Sequence, residues 1–537
     1  MHFEYFYLYE ELTQALQQLA RQYPDLVRIG AIGRSPQGRE LWCAEVAGAR
    51  RQGIAPEHRP GFYIQGNMHA EELAGSATAL YLIEYLTREY QCDPQVTKLL
   101  EQNVFYIVPR VAPDGSEAVL KTCQRVRSKV VEPLGSNVLR PQDINGDGQI
   151  LTMRRQSPDG NYVQSEKDSR IMLPRERDDK GPFYQVMEEG VIHDWDGKAI
   201  QQVYTVCDFN RNFPADWTPK PLVQGWGDYP LCEPETRAVA EFIINHRNIT
   251  RAVDIHTGNP AIFYPHALVP KHAKHQEDAR LIAELGQMAE EIIGYRFLSG
   301  YTEIHSGEPQ QMPGSFKDWI YEHRGIPIIL IELGIFYNWH GFSLEQKFAS
   351  ARAQEEYWSE LLLQWHDQHP ERELFYEWTP FDHPQLGQVE LGGWNRRMFR
   401  NPPLEEMESI CEKVTTFVLR YASYAPQLEL ELKAVPIGND LYKVTGLCRN
   451  VGKLATNGTQ KALETYPLAK LFMTLTGDIE LEYVAGEERC VMPHLQPGGG
   501  QYGTEWVIRT QAESVTVTVS SERGVFCNAE LNLKDWD

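Results

Sequence analysis

The hydrophobic positions of this chain follow two different periods, and the change of period divides it. Gly61-Phe62-Tyr63-Ile64 is a short apolar run that predicts a buried strand, and Leu73 to Leu80 just behind it reads as the start of a helix. Val104 to Val108, Arg251 to His256 and Ile326 to Glu332 are further apolar runs of strand length. Residues 235–245, 277–293, 344–366 and 404–421 carry apolar side chains at helical spacing, the third ending at a His-Pro break. Strands separated by helices predict an α/β core over residues 1–425. Residues 128 to about 205 interrupt it with a polar stretch rich in Asp, Gly and Pro, too long for a connector and expected to form a rim. Aromatic and proline punctuation follows at 370–400. From about residue 426 the period becomes two, as in Gln427-Leu428-Glu429-Leu430-Glu431-Leu432 and again in Ser514 to Ser520. That alternation, with Gly and Asn turns between runs, predicts an all-β sandwich over residues 426–537.

Composition narrows the function. A length of 537 residues calls for two or three compact units. The hydrophobic share of 42% is spread out, and no run approaches the ~18 apolar residues of a membrane span, so no membrane partner is expected. A net charge of −22 argues against nucleic acid and against anionic lipid. The first eleven residues show neither a basic nor an apolar signal-peptide region. Nine cysteines without a C-x-x-C pair suit reduced thiols, so the expected location is cytoplasmic, or secreted if a leader was trimmed.

The chemistry concentrates at strand ends. His69 and Glu72, three positions apart, stand where the 61–64 strand meets its helix, at the carboxyl edge where open α/β sheets place their sites. His256 ends one apolar strand and Glu332 lies near the end of another. A carboxylate inside such a run is costly to bury unless it is paired, bound to metal or facing a cavity. Two histidines and a glutamate form a zinc site that leaves one position open for water. Glu332 would be the general base beside it.

Several ordered motifs extend this pattern. Tyr23-Pro24-Asp25-Leu26-Val27 and Gly33 to Glu40 precede His69/Glu72, Pro113-Asp114-Gly115 follows, and Asp208-Phe209-Asn210-Arg211-Asn212-Phe213-Pro214 comes before His256 and Glu332. In this order the chain resembles zinc carboxypeptidases of the pancreatic carboxypeptidase A type, over roughly residues 5–350. The resemblance implies a mixed, mostly parallel central sheet with helices on both faces. It implies one Zn2+ held by His69, Glu72 and His256, with Glu332 as base and Arg127 as the oxyanion cation. It also implies that Asn210 and Arg211 grip a peptide's free terminal carboxylate, and that Asp208 hydrogen-bonds the first zinc histidine. Arg127 is placed by its distance from the Pro-Asp-Gly turn, where Ala112 replaces the family's Asn. The implied activity is removal of single residues from peptide carboxyl termini. The alternatives are a zinc amidase or deacylase acting on a small carboxylate-bearing amide or cell-wall peptide, and a metal-binding protein without turnover.

Two further expectations come from single stretches. Residues 307–319 match the family's closing loop yet hold no tyrosine, and Tyr301 is off register. Lys317 in that stretch would favour an acidic terminal side chain by charge complementarity, unless it points to solvent. Asp143, Asn145 and Asp147, with Gly146 and Gly148 between and after them, resemble the start of an EF-hand loop. Arg154 replaces the twelfth-position carboxylate such a loop needs. A partial Ca2+ site and a metal-free turn held by its own side chains both fit that stretch.

Overall fold

The computed structural model describes every residue except 1–2, 49–53, 133–134, 202–206, 219–226, 272, 301–311, 335–348 and 535–537. Tyr301, residues 307–311 of the expected closing loop and the start of the helix expected at 344 lie outside the described residues.

Eight strands make the central sheet: β1 (Val27–Arg34), β2 (Glu40–Val46), β3 (Gly61–Gly66), β4 (Val104–Val108), β5 (Ile249–Gly258), β6 (Ala261–Phe263), β7 (Arg296–Leu298) and β8 (Ile328–Gly334). Their order is β1-β2-β4-β3-β5-β8-β6-β7. The middle four run parallel, with the antiparallel hairpin β1-β2 on one side and β6 antiparallel to β8 on the other.

Because successive side chains of a strand face opposite ways, each central strand feeds two cores. Phe62, Ile64, Phe105, Ile107, Val253 and Ile255 pack against helices Leu73–Glu89, Gln276–Ile293 and Met407–Ala422. Tyr63, Val104, Tyr106, Val108 and Ala252 face Pro234–Asn245 and Phe316–Glu322 on the other side. Each fully buried large apolar side chain contributes roughly 1.5–3 kcal/mol. The continuous apolar runs of the middle strands follow from this two-sided burial.

One close approach positions the site. A Cβ on Gly66, the last residue of β3, would meet Gly75 O at 2.4 Å, and a Cβ on Gly75 would meet Ile255 O at 2.6 Å. Glycine at both positions lets the first turn of helix Leu73–Glu89 sit directly on the ends of β3 and β5.

The long polar insertion is more ordered than its composition predicts. Its strands Thr152–Gln156, Tyr162–Gln164, Met172–Pro174 and Phe183–Glu188 join Phe375–His383 and Gly387–Trp394 in one six-stranded sheet. The strands from 375 on supply the partners, so neither segment reads as a sheet alone.

Beyond residue 425, Leu428–Gly438, Leu441–Asn450, Gly500–Arg509 and Glu482–Ala485 form one antiparallel sheet. Arg489–Met492, Leu471–Gly477, Ser514–Ser521 and Phe526–Asn532 form another. Val444, Trp506, Ile508, Leu471, Met473, Val517 and Val519 fill a core of their own. This unit docks through a short helix, Gln460–Thr465, whose first backbone N–H groups reach Asp278: Gln460 N donates to Oδ1 at 2.7 Å and Lys461 N to Oδ2 at 3.0 Å. Thr459 Oγ1 donates to Gly325 O at 2.6 Å. No described helix is long and apolar enough to cross a membrane.

Candidate metal centre

His69, Glu72 and His256 come from sequence positions far apart and meet at one point, all three buried. His69 Nδ1 lies 2.7 Å from Glu72 Oε1, His256 Nδ1 lies 2.9 Å from Glu72 Oε2, and the two Nδ1 atoms are 3.1 Å apart. The local reasons differ. β5 is buried along its whole length and ends with His256 near its tip, while His69 and Glu72 occupy the turn after β3 that opens the next helix.

The outer nitrogens decide what the inner ones can do. His69 Nε2 is 3.2 Å from Asp208 Oδ1, and His256 Nε2 is 2.8 Å from Asp254 Oδ2. Each carboxylate accepts the Nε2 proton and so leaves Nδ1 with its lone pair, the tautomer a metal ligand needs. Two lone pairs and a carboxylate facing one another across about 3 Å call for a cation between them. The donor set, N2O with buried carboxylate partners, fits Zn2+. The surroundings favour positive charge at this point. Burial opposes charge on His256, yet Asp254 and Glu72 outweigh it and raise its pKa well above the ordinary range. Burial likewise opposes the Glu72 anion, but His69 and His256 hold its pKa well below that of a free carboxylate.

Arg127 borders this group. Its Nε donates to Asp208 Oδ2 at 3.0 Å and its Nη1 to Glu72 Oε1 at 3.1 Å. Burial disfavours the guanidinium charge, but Asp208, Glu72 and Glu332 more than compensate, so it stays protonated. Glu332 is the Cα partner of His256 across the parallel β5–β8 ladder and is buried, which puts the expected base on the strand beside the third ligand. Asn210 and Arg211 sit in the short turn after Asp208. Phe316 N donates to Asn210 Oδ1 at 2.8 Å, which leaves the Asn210 amide nitrogen as its donor group. Arg211 Nη1 donates to Asn210 O at 2.7 Å. Burial lowers the Arg211 pKa, with Asp208 opposing, and the group remains a cation at neutral pH.

Residues 12–359 match the family profile described as zinc carboxypeptidase. The chain belongs to the zinc carboxypeptidase family. Mouse carboxypeptidase M is 36% identical over 115 residues, which cover 21% of this chain and 25% of that protein. Human carboxypeptidase Z is 24% identical over 344 residues, covering 61% of this chain and 44% of that protein. The chain thus spans between a quarter and under half of these relatives' lengths. The solved structure of bovine thrombin-activatable fibrinolysis inhibitor in complex with tick carboxypeptidase inhibitor is similar at 18% identity and a TM-score of 0.43, covering 78% of this chain and 97% of that one. Residues 427–532 match a profile described only as a domain of unknown function.

Four sequence-predicted residues need comment. Lys317 does not point to solvent. It is buried, with Nζ 3.0 Å from each carboxylate oxygen of its neighbour Asp318. Asp318 thus already partners the charge that was expected to select an acidic terminal side chain. Asp143, Asn145 and Asp147 lie in the insertion, where the turn closes on itself. Asp143 accepts from Gly146 N and Gly148 N at 2.7 and 2.8 Å, Asn145 Oδ1 from Asp147 N at 3.0 Å, and Asp147 Oδ1 from Gln149 N at 2.7 Å. Of the two readings of that loop, the metal-free turn accounts for these bonds, and the family match implies Zn2+.

A second group of acidic and histidine side chains, His366, Asp367 and Glu377, is partly exposed. Arg170 already bridges its two carboxylates, at 2.7 Å from Asp367 and 3.1 Å from Glu377.

Sequence reasoning missed Asp254. Its signal was present, since Asp-x-His two apart on a strand places both side chains on one face.

Proposed function

We propose that this protein is a zinc-dependent exopeptidase that removes single residues from the carboxyl termini of peptides. Zn2+ held by His69, Glu72 and His256 would polarise the scissile carbonyl and make hydroxide available near neutral pH. Glu332, beside His256 on the adjoining strand, takes the proton of the attacking water and passes it to the departing amine. Arg127, held charged by Asp208 and Glu72, faces the negative charge that develops on the carbonyl oxygen and stabilises it without reorganising. The guanidinium of Arg211 and the amide donor of Asn210 hold the substrate's terminal carboxylate. The observation that carries this reading is the convergence of the buried His69–Glu72–His256 triad with Glu332 in direct cross-strand register.

The reading is tested with one peptide in two forms, with a free and with an amidated carboxyl terminus, and with Glu332→Gln. The free form should be cleaved and the amidated form should not. Glu332→Gln should lose ~10²–10⁴-fold or more in kcat while still binding one zinc, as expected for a general acid–base. Equal cleavage of both forms would favour the amidase reading. A Glu332→Gln variant with unchanged kcat would remove Glu332 from the reaction.

A further inference from the structure

Helix Leu73–Glu89 has an unusual start. Its N-cap residue is the metal-site glutamate Glu72, and no side-chain hydrogen bond from Glu72 caps the helix. The first N–H groups of a helix lack partners within it, and the N-cap side chain normally supplies one. Glu72 is turned the other way. Oε1 faces His69 and Arg127, and Oε2 faces His256 and Thr257 N, the last at 3.1 Å.

The missing cap arrives from a distant segment. Asn401, fully buried, accepts the Ala74 N–H through Oδ1 at 2.9 Å. Its Nδ2 donates to Glu71 O at 2.8 Å and to Arg397 O at 3.0 Å. One carboxamide therefore ties the residue before Glu72 to the helix turn after it. The same segment also touches the other ligand strand, because Thr257 Oγ1, next to His256, donates to Arg400 O at 2.8 Å. Glu71 is held in turn by Val126 N at 3.0 Å and by Arg400 Nε at 3.5 Å. Asn401 lies beyond the family match, which ends at residue 359.

We propose that Asn401 is a positioning residue for the metal centre: it caps the ligand helix in place of Glu72 and so leaves the Glu72 carboxylate free to coordinate. Without it, Ala74 N has no cap, and Glu72 holds the N-cap position from which a side chain normally supplies one. Capping and metal binding then compete for one side chain. This inference rests on the reading of His69, Glu72 and His256 as the zinc ligands.

The test compares wild type, Asn401→Ala, Thr257→Val and Thr257→Ser. Zinc affinity is measured by competition with a chromophoric chelator, and ligand geometry by the visible spectrum of the Co2+-substituted protein. Asn401→Ala should weaken zinc binding about 10-fold or more, the range seen when outer partners of metal ligands are removed. It should also shift the Co2+ spectrum, and lower kcat per bound zinc with KM little changed. Thr257→Val should do the same to a smaller extent, and Thr257→Ser, which keeps the hydroxyl, should match wild type.

A lower melting temperature in Asn401→Ala with unchanged zinc affinity and Co2+ spectrum would reduce Asn401 to a structural role and overturn the proposal. Should Asn401→Ala fail to fold, wild-type zinc affinity in Thr257→Val would overturn it. Wild type that binds no stoichiometric zinc would instead refute the triad reading beneath it.

Discussion

Asp254→Asn removes one oxygen's charge and almost no volume, which makes it a sharp probe of the centre. Asp254 is fully buried and accepts two hydrogen bonds, from His256 Nε2 at 2.8 Å and from Gln65 Nε2 at 3.0 Å. The direction of the second is fixed further back, since Tyr63 OH donates to Gln65 Oε1 at 2.8 Å. Burial raises the Tyr63 pKa well above its usual value, so the phenol keeps its proton and remains the donor. Position 254 therefore faces two donors and must offer two acceptors. Asparagine has one acceptor oxygen. Whichever way its amide turns, its NH2 meets a donor, and a buried polar group goes unmatched at about 1–3 kcal/mol.

The strain is relieved most readily at His256, whose ring can move its proton to Nδ1 and present a bare Nε2 to the amide. That tautomer cannot ligate through Nδ1. Zinc affinity should fall about 10- to 100-fold, roughly 1.4–2.7 kcal/mol, measured by chelator competition near pH 7.5. At saturating zinc much of kcat should return, because Asp254 does not touch Arg127. Asp208→Asn should behave differently, since Asp208 also anchors Arg127 Nε, and kcat should stay low even when zinc is saturating. An Asp254→Asn protein that binds zinc within twofold of wild type would refute the tautomer argument.

Two further predictions concern stability. Glu235 is buried on helix Pro234–Asn245, where burial first, then Asp114 and Glu233, raise its pKa to about 7. A carboxyl whose folded pKa lies above its unfolded value of roughly 4.5 favours the folded state below that value and loses this contribution as pH rises through about 7. Wild type should therefore lose up to about 3 kcal/mol between those limits relative to Glu235→Gln; parallel urea-denaturation profiles from pH 4.5 to 7.5 would contradict this. Asp278→Ala leaves Gln460 N, Lys461 N and the hydroxyl of Tyr321 without their acceptor. The cost should be at least about 3 kcal/mol, and limited proteolysis should release the C-terminal sheets earlier; an unchanged melting temperature and digestion pattern would argue against this docking.

The readings that came easily from sequence were those whose physics is local. A strand buried on both faces writes a continuous apolar run, so β3, β4, β5 and β8 were visible, and an alternating strand announces itself by its period, as Ser514–Ser521 does. Helix Met407–Ala422 was legible, but its packing on the central sheet was not, because an amphipathic stripe does not say which surface it covers. The sheet of the insertion was hidden for the same reason: Thr152–Gln156 is paired by Gly387–Trp394, and strand pairing across such a separation leaves no mark in either segment. Within the site, residues on one element could be found by spacing. Asn401 could not, since its work is done on backbone atoms of residues 71 and 74, which any side chain would present equally.

The shared six-stranded sheet bears on how the chain emerges during synthesis. Strand Thr152–Gln156 finds Phe183–Glu188 soon after translation, but its other flank stays open until Gly387–Trp394 has been made. At about 5–20 residues per second that interval lasts roughly 10–50 s. For all of it the nascent polypeptide carries an unpaired strand edge, ready to pair with a neighbouring ribosome's product.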